Sequence, residues 1–547
     1  MRSGSKSEYR ARSAHQRLSR LHWLHNEGCK LSFDLEALTC QLRKEALDWK
    51  PEFARRAADS NDTRSGWVRT DTDWSNLANL PLSKILENAR KKKSRDYTEF
   101  TEYAPFAGIC DDSPLRAISA LSIELKQGKF YAEFWETYLS RDARKKDKYR
   151  LKLLTAGRLT QIPNKDFKDI LLTASRWFEN HGPELRDKNI KVFEAVWDKF
   201  IQTIMQYEQS SSSALVRREQ KEIDWTGEAI NSASGNLAEL HMTDPTKDNL
   251  KIGKGFPKKW LENVDQLLNL PNDAHRYSMV IFSFNLRWLH LIDPVWTEYN
   301  LIKIIEDDKA SKDDKDAIWA GFMWGASVPH EALYIKLKPH FLQMAKEGAV
   351  ERRRHTEVLS ALLLSGWGTK DKKKKQFISD EELRNVLLVA GDEFRSQTLW
   401  HLDRWSKDKK NNWDEKVLEF LKKAWPKHKK VRTSKTSARL CEIALNQRDS
   451  FPAVSQQVAQ LVSKIGNEHV YIPELRKTAK DDSEEADENL AEKYPDHYLN
   501  LLYAILPEQP ERWPYGAADV LKKIEELAPQ LLNDPRLIEL KSRLNDL

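Results

Sequence analysis

Glycine is scarce in this sequence, with 19 residues in 547, about half the share near 7% that soluble proteins usually carry. Folds built from many tight turns need glycine for positive φ. The shortage therefore counts against β-rich architectures and against glycine-rich loops that cradle phosphate. Cysteine is scarcer still: Cys29, Cys40, Cys110 and Cys441 show no disulfide-like spacing, which excludes a disulfide framework and fits a reducing compartment. Long apolar runs are missing as well. The most apolar stretch, HRYSMVIFSFNLRWLHLIDPVW, is interrupted by Arg276, Arg287 and His290 and is too short to span a membrane. The N-terminus, MRSGSKSEYRARSAHQR, is basic but has no apolar core, so it is not a secretory signal. Its Arg, Ser and Ala imitate a transit peptide, yet the helical pattern continues into RLSRLHWLHNEG. The cytoplasm is the expected location. Neither sign of charge dominates, since 90 basic residues face 83 acidic ones for a net +7. That mild excess is compatible with nucleic acid without requiring it.

What is present points to helices. Charged residues make up 32% and aromatics 10%, including 19 Trp, and the mean hydropathy is −0.69. Disordered chains lack aromatics, so this combination describes amphipathic helices with wet outer faces. At the centre, Tyr277, Val280, Ile281, Phe284, Trp288 and Leu291 fall at helical spacing on one face. Met279, Phe282, Leu286 and Leu289 fill much of the other, so this helix is expected to be buried. Asp293-Pro294 should close it and open the next, with Asp as N-cap and Pro at the first helical position.

Helix boundaries recur along the chain at Pro, Gly and Asp signals. The pattern predicts helices over 8–28, 34–49, 81–90, 114–127, 130–139, 148–161, 166–181 with a stop at Gly182-Pro183, and 185–207. Residues 52–79 read as a short helix and then loop. Beyond QSSSSA (209–214), a flexible linker, come helices over 217–231, 259–270, 380–388, 392–406, 413–424, 434–446, 452–465, 490–506, 515–527 and 535–544. With roughly two dozen helices, a helix pair takes roughly 40–45 residues, the period of HEAT-type stacks. The expected fold is all-α, an α-solenoid or HEAT-like helical-repeat array in two abutting lobes. Three parts are expected: an N-terminal helical lobe (1–208), a central helical core (215–375) and a C-terminal helical domain (376–547). KDKKKKQ (370–376) and KDDSEEADE (480–488) read as solvated insertions, because like charges repel.

Several clusters bear on chemistry. His22, His25 and Cys29 share one helix face and could ligate zinc with Cys40, but Gly28 should break the helix just before Cys29, and a packed His/Trp helix is the preferred reading; no metal is expected. Gly253-Lys254-Gly255 lacks both the Gly-Lys-Ser/Thr ending and the preceding strand of a P-loop, so it reads as a turn before Pro257. Gly321 and Gly325, four apart in GFMWG, should let two helices approach closely, with Trp319 and Trp324 as wedges in the same interface. Arg352, Arg353 and Arg354, taken with Arg141, Arg144, Lys145, Lys146, Lys148 and Lys372–Lys375, make a candidate basic strip for phosphates or carboxylates; exposed faces with salt-bridged partners are the plainer reading. Asp392, Glu393, Glu381 and Glu382 offer carboxylates, but acid–base work needs two positioned groups in perturbed environments, and none is marked out.

Seven longer motifs carry a family resemblance: RLSRLHWLHNEGCKLSFD (17–34), PFAG (105–108), RWLHLIDPVWTEYNL (287–301), WAGFMWGASVP (319–329), ISDEELRNVLL (378–388), DEFRSQTLWHLDRWS (392–406) and PYGAADVLKKIEELAPQLLNDPRLIELKSRL (514–544). Together they resemble the helical C-terminal region, with its terminal domain of unknown function, of bacterial sirtuin-like anti-phage defence proteins. The resemblance implies a sensor or scaffold region beside an NAD-consuming effector. The chain departs from that pattern in having neither a dinucleotide-type Gly-rich turn after a strand nor strand–helix alternation at either end. The sirtuin-like catalytic part is thus expected to be missing, and no NAD-binding residue or other cofactor site carries over.

The functional expectation is a non-catalytic interaction protein that binds a protein partner, either a phage trigger or a sirtuin-like effector. A nucleic-acid-binding helical repeat using the basic strip is the first alternative. An enzyme whose site assembles from residues distant in sequence is the second.

Overall fold

The computed structural model describes residues 6–30, 32–47, 49–54, 68–92, 94–96, 101–207, 223–347, 353–371, 373–408, 412–465 and 490–545. These residues are overwhelmingly helical, as the glycine shortage and aromatic content predict, with one small sheet besides. No helix among them is long and apolar enough to cross a membrane. The chain divides into two compact units, Met1–Lys129 and Phe130–Leu547. The serine-rich stretch 209–214 and the acidic run 480–488 lie outside the described residues.

In the first unit, the Lys6–Asn26 helix stops at Gly28, whose φ of +77° suits glycine after a helix end. Asp34 opens the Leu35–Arg43 helix by accepting hydrogen bonds from the amides of Glu36 and Ala37. Ala14, Leu18, Ala46 and Trp49 form a small core beside them, and the Trp49 indole donates to Ser19 Oγ at 2.9 Å. The sheet lies farther along. β1 (Arg69–Asp71) runs parallel to β3 (Thr101–Tyr103), and β2 (Ser94–Asp96) pairs antiparallel with the other edge of β3. This corrects the expectation that 52–79 ends in plain loop. Three-residue strands are too short to show an alternating pattern, so nothing in the sequence marks them. Gly108, in the Pro105–Asp112 helix, meets this region closely: a Cβ there would lie 2.0 Å from the Thr72 carbonyl oxygen.

The second unit is helical among its described residues. Packing passes along the chain from helix to near neighbour. Leu171–Lys188 packs on Ala233–Met242, which packs on Asp273–Phe284, then Lys312–Gly325, Arg353–Gly368, Asp392–Ser406 and Ser434–Asn446. Phe451–Ala459 and Pro495–Ile505 continue the series. At its centre, Gly321 and Gly325 let Lys312–Gly325 press onto Asp273–Phe284. Their Cβ positions would lie 2.1 Å and 3.0 Å from the carbonyl oxygens of Val280 and Phe284. Trp324 packs on Phe284 in that interface, whereas Trp319 faces Phe341 of the Glu331–Glu347 helix. Arg276 pins the pair at one end through Asp314 (2.6 Å) and Asp273 (2.8 Å).

Several boundaries differ from the sequence pattern: Leu35–Arg43 stops short of 49, Phe451–Ala459 stops short of 465, and the Ala233–Met242 helix lies where none is expected. The central apolar helix is broken at Asn285 into Asp273–Phe284 and Leu286–Ile292, with the Asn285 side chain bonded back to the Ile281 carbonyl. A polar residue that hydrogen-bonds its own backbone competes with helix continuation. Conversely, Leu171–Lys188 runs through Gly182-Pro183, the predicted stop. Pro183 removes one backbone hydrogen bond, but buried Trp177, Phe178 and Leu185 hold the helix on both sides. Gly182 is used for close packing: a Cβ would lie 2.9 Å from the Leu240 methyls.

Candidate functional site

The central helices lead into a hydrogen-bonded turn beside which stand Ile252, Val295 and Tyr299, exposed apolar side chains among the described residues of the second unit. Asp293 caps the Pro294–Thr297 helix, as expected, with Oδ1 accepting from the Trp296 amide at 2.9 Å. Its other oxygen accepts from the Phe256 amide at 3.4 Å. The loop before Phe256 is stitched to the same strip of chain, because the amides of Gly253 and Gly255 donate to the carbonyls of Leu291 and Ile292, each at 3.0 Å. Both glycines have positive φ. Gly253-Lys254-Gly255 is thus a turn whose two glycine amides are spent on protein carbonyls, not a phosphate cradle.

An aromatic block fills the space behind this turn. Phe256 stacks on Trp260 with ring centroids 4.1 Å apart, and Trp288 and Trp296 close on both. His241 is buried against Trp260 at 4.6 Å, and burial pushes its pKa down to about 3, keeping it neutral. On the solvent side, Val295 is 78% exposed and Ile252 and Tyr299 are each 67% exposed. Val295 and Tyr299, four residues apart, share one helical side, and Lys303 lies over the Tyr299 ring at 4.9 Å.

Next to this face is a chain of titratable groups. His290, 4% exposed, places Nε2 3.3 Å from Glu298 Oε1 and Nδ1 3.3 Å from His330 Nε2. A carboxylate only accepts, so His290 carries its hydrogen on Nε2 and receives one from His330 on Nδ1. Burial and the neighbouring His290 and Arg287 hold the His330 pKa below its ordinary value. Lys336 lies 3.5 Å from Glu298 and 3.4 Å from Glu306. Glu298 opens a π-helical turn, Glu298–Ile302, a feature common at functional positions. Both carboxylates are engaged by Lys336, so the chain as it stands fixes the two imidazoles and ties His330 to the Leu286–Ile292 helix. The sequence held no sign of it, because His290 and His330 are forty positions apart and belong to different patterns.

The basic strip is only partly laid out on the surface. Arg144 is 2% exposed, stacked over Tyr138 at 4.8 Å and facing Asp147 at 3.5 Å, so it is not available to grip an external phosphate. Lys145 and Lys146 are exposed, Lys145 with Asp142 at 2.9 Å, and Arg141 is half-buried. Arg352 lies outside the described residues, while Arg353 and Arg354 occupy the first turn of the Arg353–Gly368 helix. In the first unit, His22, His25 and Cys29 line a cavity of about 680 Å³ together with Asp34 and Glu36, whereas Cys40 is not part of its wall. Among the described residues no three His, Cys, Asp or Glu side chains converge to hold a metal ion. No disulfide joins Cys29, Cys40, Cys110 or Cys441.

No family model and no curated protein matches the chain.

Proposed function

We propose that this protein is a non-catalytic helical scaffold or sensor of a bacterial anti-phage defence system, acting in the cytoplasm by binding a protein partner. The observation that carries the reading is the Ile252–Val295–Tyr299 face. It offers exposed apolar side chains on backbone that is locked by Asp293 and by an aromatic block, so little ordering entropy is lost on docking. Exposed apolar groups grouped on a rigid support mark interaction surfaces. The helix-to-neighbour packing of the second unit supports an α-solenoid of HEAT-like pairs, since such arrays contact only their chain neighbours. The family resemblance supplies the partner class, a sirtuin-like NAD-consuming effector or the phage protein that triggers it.

The test is binding of the purified chain to the product of a neighbouring sirtuin-like gene, measured by calorimetry. Val295→Asp with Tyr299→Asp is expected to weaken binding at least tenfold, about 1.4 kcal/mol, while the thermal melt stays unchanged. Full affinity in the double variant, or NAD consumption or DNA cleavage by the chain alone, overturns the proposal.

A further inference from the structure

In the run KDKKKKQ, expected to be a solvated insertion, the described residues Lys370, Asp371 and Lys373–Gln376 bond to one another, and Lys372 lies outside the described residues. Lys370 pairs with Gln376 as an antiparallel bridge, and the Asp371 amide donates to the Lys375 carbonyl at 2.8 Å. The Asp371 carboxylate accepts from the amides of Lys373 and Lys375 at 2.8 and 2.7 Å. Gln376 anchors the base of the turn on the carbonyl of buried Trp367 at 3.0 Å. Lys370, Lys373, Lys374 and Lys375 are all exposed on this hydrogen-bonded backbone. Among the described residues none of the four makes an ion pair.

The neighbouring carboxylates are already committed. Asp371 caps the turn, Asp380 accepts from the Trp367 indole at 2.7 Å, and Glu419 pairs with Lys423 at 2.8 Å. A fifth amine, Lys416, donates to the Gly368 carbonyl at 3.1 Å and sits 4.6 Å over the Trp413 ring. Burial, and then Lys370 as a like charge, lower its affinity for a proton. Trp413 abuts Gly368 and packs on half-buried Trp405 at 4.8 Å, and Arg404 lies over Trp400 at 5.2 Å.

We infer that Lys370, Lys373, Lys374 and Lys375, with the adjoining rings of Trp405 and Trp413, form a binding site for a single-stranded nucleic acid. A row of exposed amines without ion pairs among the described residues tracks a phosphodiester backbone, and the half-buried indoles beside it supply aromatic surface for bases to stack on. An acidic polypeptide would meet the amines but has no use for the aromatic surface. A duplex hides its base faces in the stack. The site is separate from the Ile252–Val295–Tyr299 face in residues and in chemistry, so the two readings fail independently.

The experiment is fluorescence anisotropy of a labelled twelve-nucleotide single strand with the full chain at several salt concentrations. Engaging four or five phosphates predicts a slope of log affinity against log salt of about −3, or a loss of roughly sixtyfold between 50 and 200 mM salt. Replacing Lys373, Lys374 and Lys375 together by Gln removes charge from an exposed turn without disturbing its backbone bonds, and should reduce the slope by about 2. Trp405→Leu should weaken single-strand binding several-fold with the slope unchanged, since stacking does not depend on counterions. The inference is overturned by absence of binding at 50 mM salt, by a triple-Gln variant with the parent slope, or by polyglutamate or duplex DNA competing as well as the single strand.

Discussion

Gly321 stands against the main chain of Val280 so closely that a Cβ there would lie 2.1 Å from the carbonyl oxygen. Neither residue can give way cheaply, because both belong to buried helices at the middle of the second unit. Gly321→Ala is expected to destabilise by about 3 kcal/mol through forced separation of the two helices. Gly157→Ala is the control. It lies in the Tyr149–Leu159 helix with nothing within 4 Å of a built Cβ, and should be neutral or stabilising by up to about 1 kcal/mol. Urea denaturation of both variants checks the contrast, and similar losses at the two sites would refute it.

Asp293 joins two segments by capping Pro294–Thr297 and accepting from the Phe256 amide. Asp293→Ala should cost about 2 kcal/mol, the cap together with one charge-assisted hydrogen bond. Asp293→Asn keeps an accepting oxygen at the cap and should cost less than half as much. Because the same residue holds the Lys251–Phe256 loop, the Ala variant should also show faster amide exchange at Gly253 and Gly255.

Stability should fall on acidification, and two histidines set the window. Burial holds the His241 pKa down at about 3 and that of His181 at about 4. In the unfolded chain both titrate near 6.5. Between those values the unfolded state binds protons that the folded state does not, so the contribution is complete above about pH 6.5 and is lost as pH falls. One histidine supplies at most about 1.4 kcal/mol per pH unit. His241→Phe keeps a ring between Trp197 and Trp260, and should lose less stability than the parent between pH 7 and pH 5. Parallel pH profiles for the two proteins would count against this assignment.

Arg144 and Lys145 are adjacent and should behave in opposite ways. Arg144→Ala strands Asp147, whose side chain is only 6% exposed, and should cost about 3 kcal/mol. Lys145 faces a carboxylate that is 92% exposed, so Lys145→Ala should stay within about 0.5 kcal/mol. Thermal melts at pH 7 distinguish them.

Much of the fold was legible because its signals are local. Asp293-Pro294 acts within a few residues of where it is written, and the Gly321/Gly325 spacing marks a face for close approach without naming the Asp273–Phe284 helix that it meets. The failures share a cause as well. Gly182-Pro183 reads as a stop until Leu240, from another helix, fills the place where a Cβ would be. The strands at 69–71 and 101–103 exist only as a pair. Among site residues, the lysine turn was visible as composition, but its order depends on Asp371 and on buried Trp367. The His290–His330 contact was invisible, since two histidines on separate patterns announce nothing about each other. Arg144 looked like its basic neighbours, and the Tyr138 ring and Asp147 beside it turn it inward.

The hand-to-hand packing of the second unit has a consequence for how injury spreads. A helix that leans on its sequence neighbours transmits a lesion a short way and then absorbs it, so exchange-labelled amides should melt in contiguous sectors, not all at once. Loss of the Pro535–Asn545 helix should loosen the Pro495–Ile505 sector while the Asp273–Phe284 sector remains closed. A chain built in this way can be trimmed or rewired at one end during evolution without renegotiating its middle.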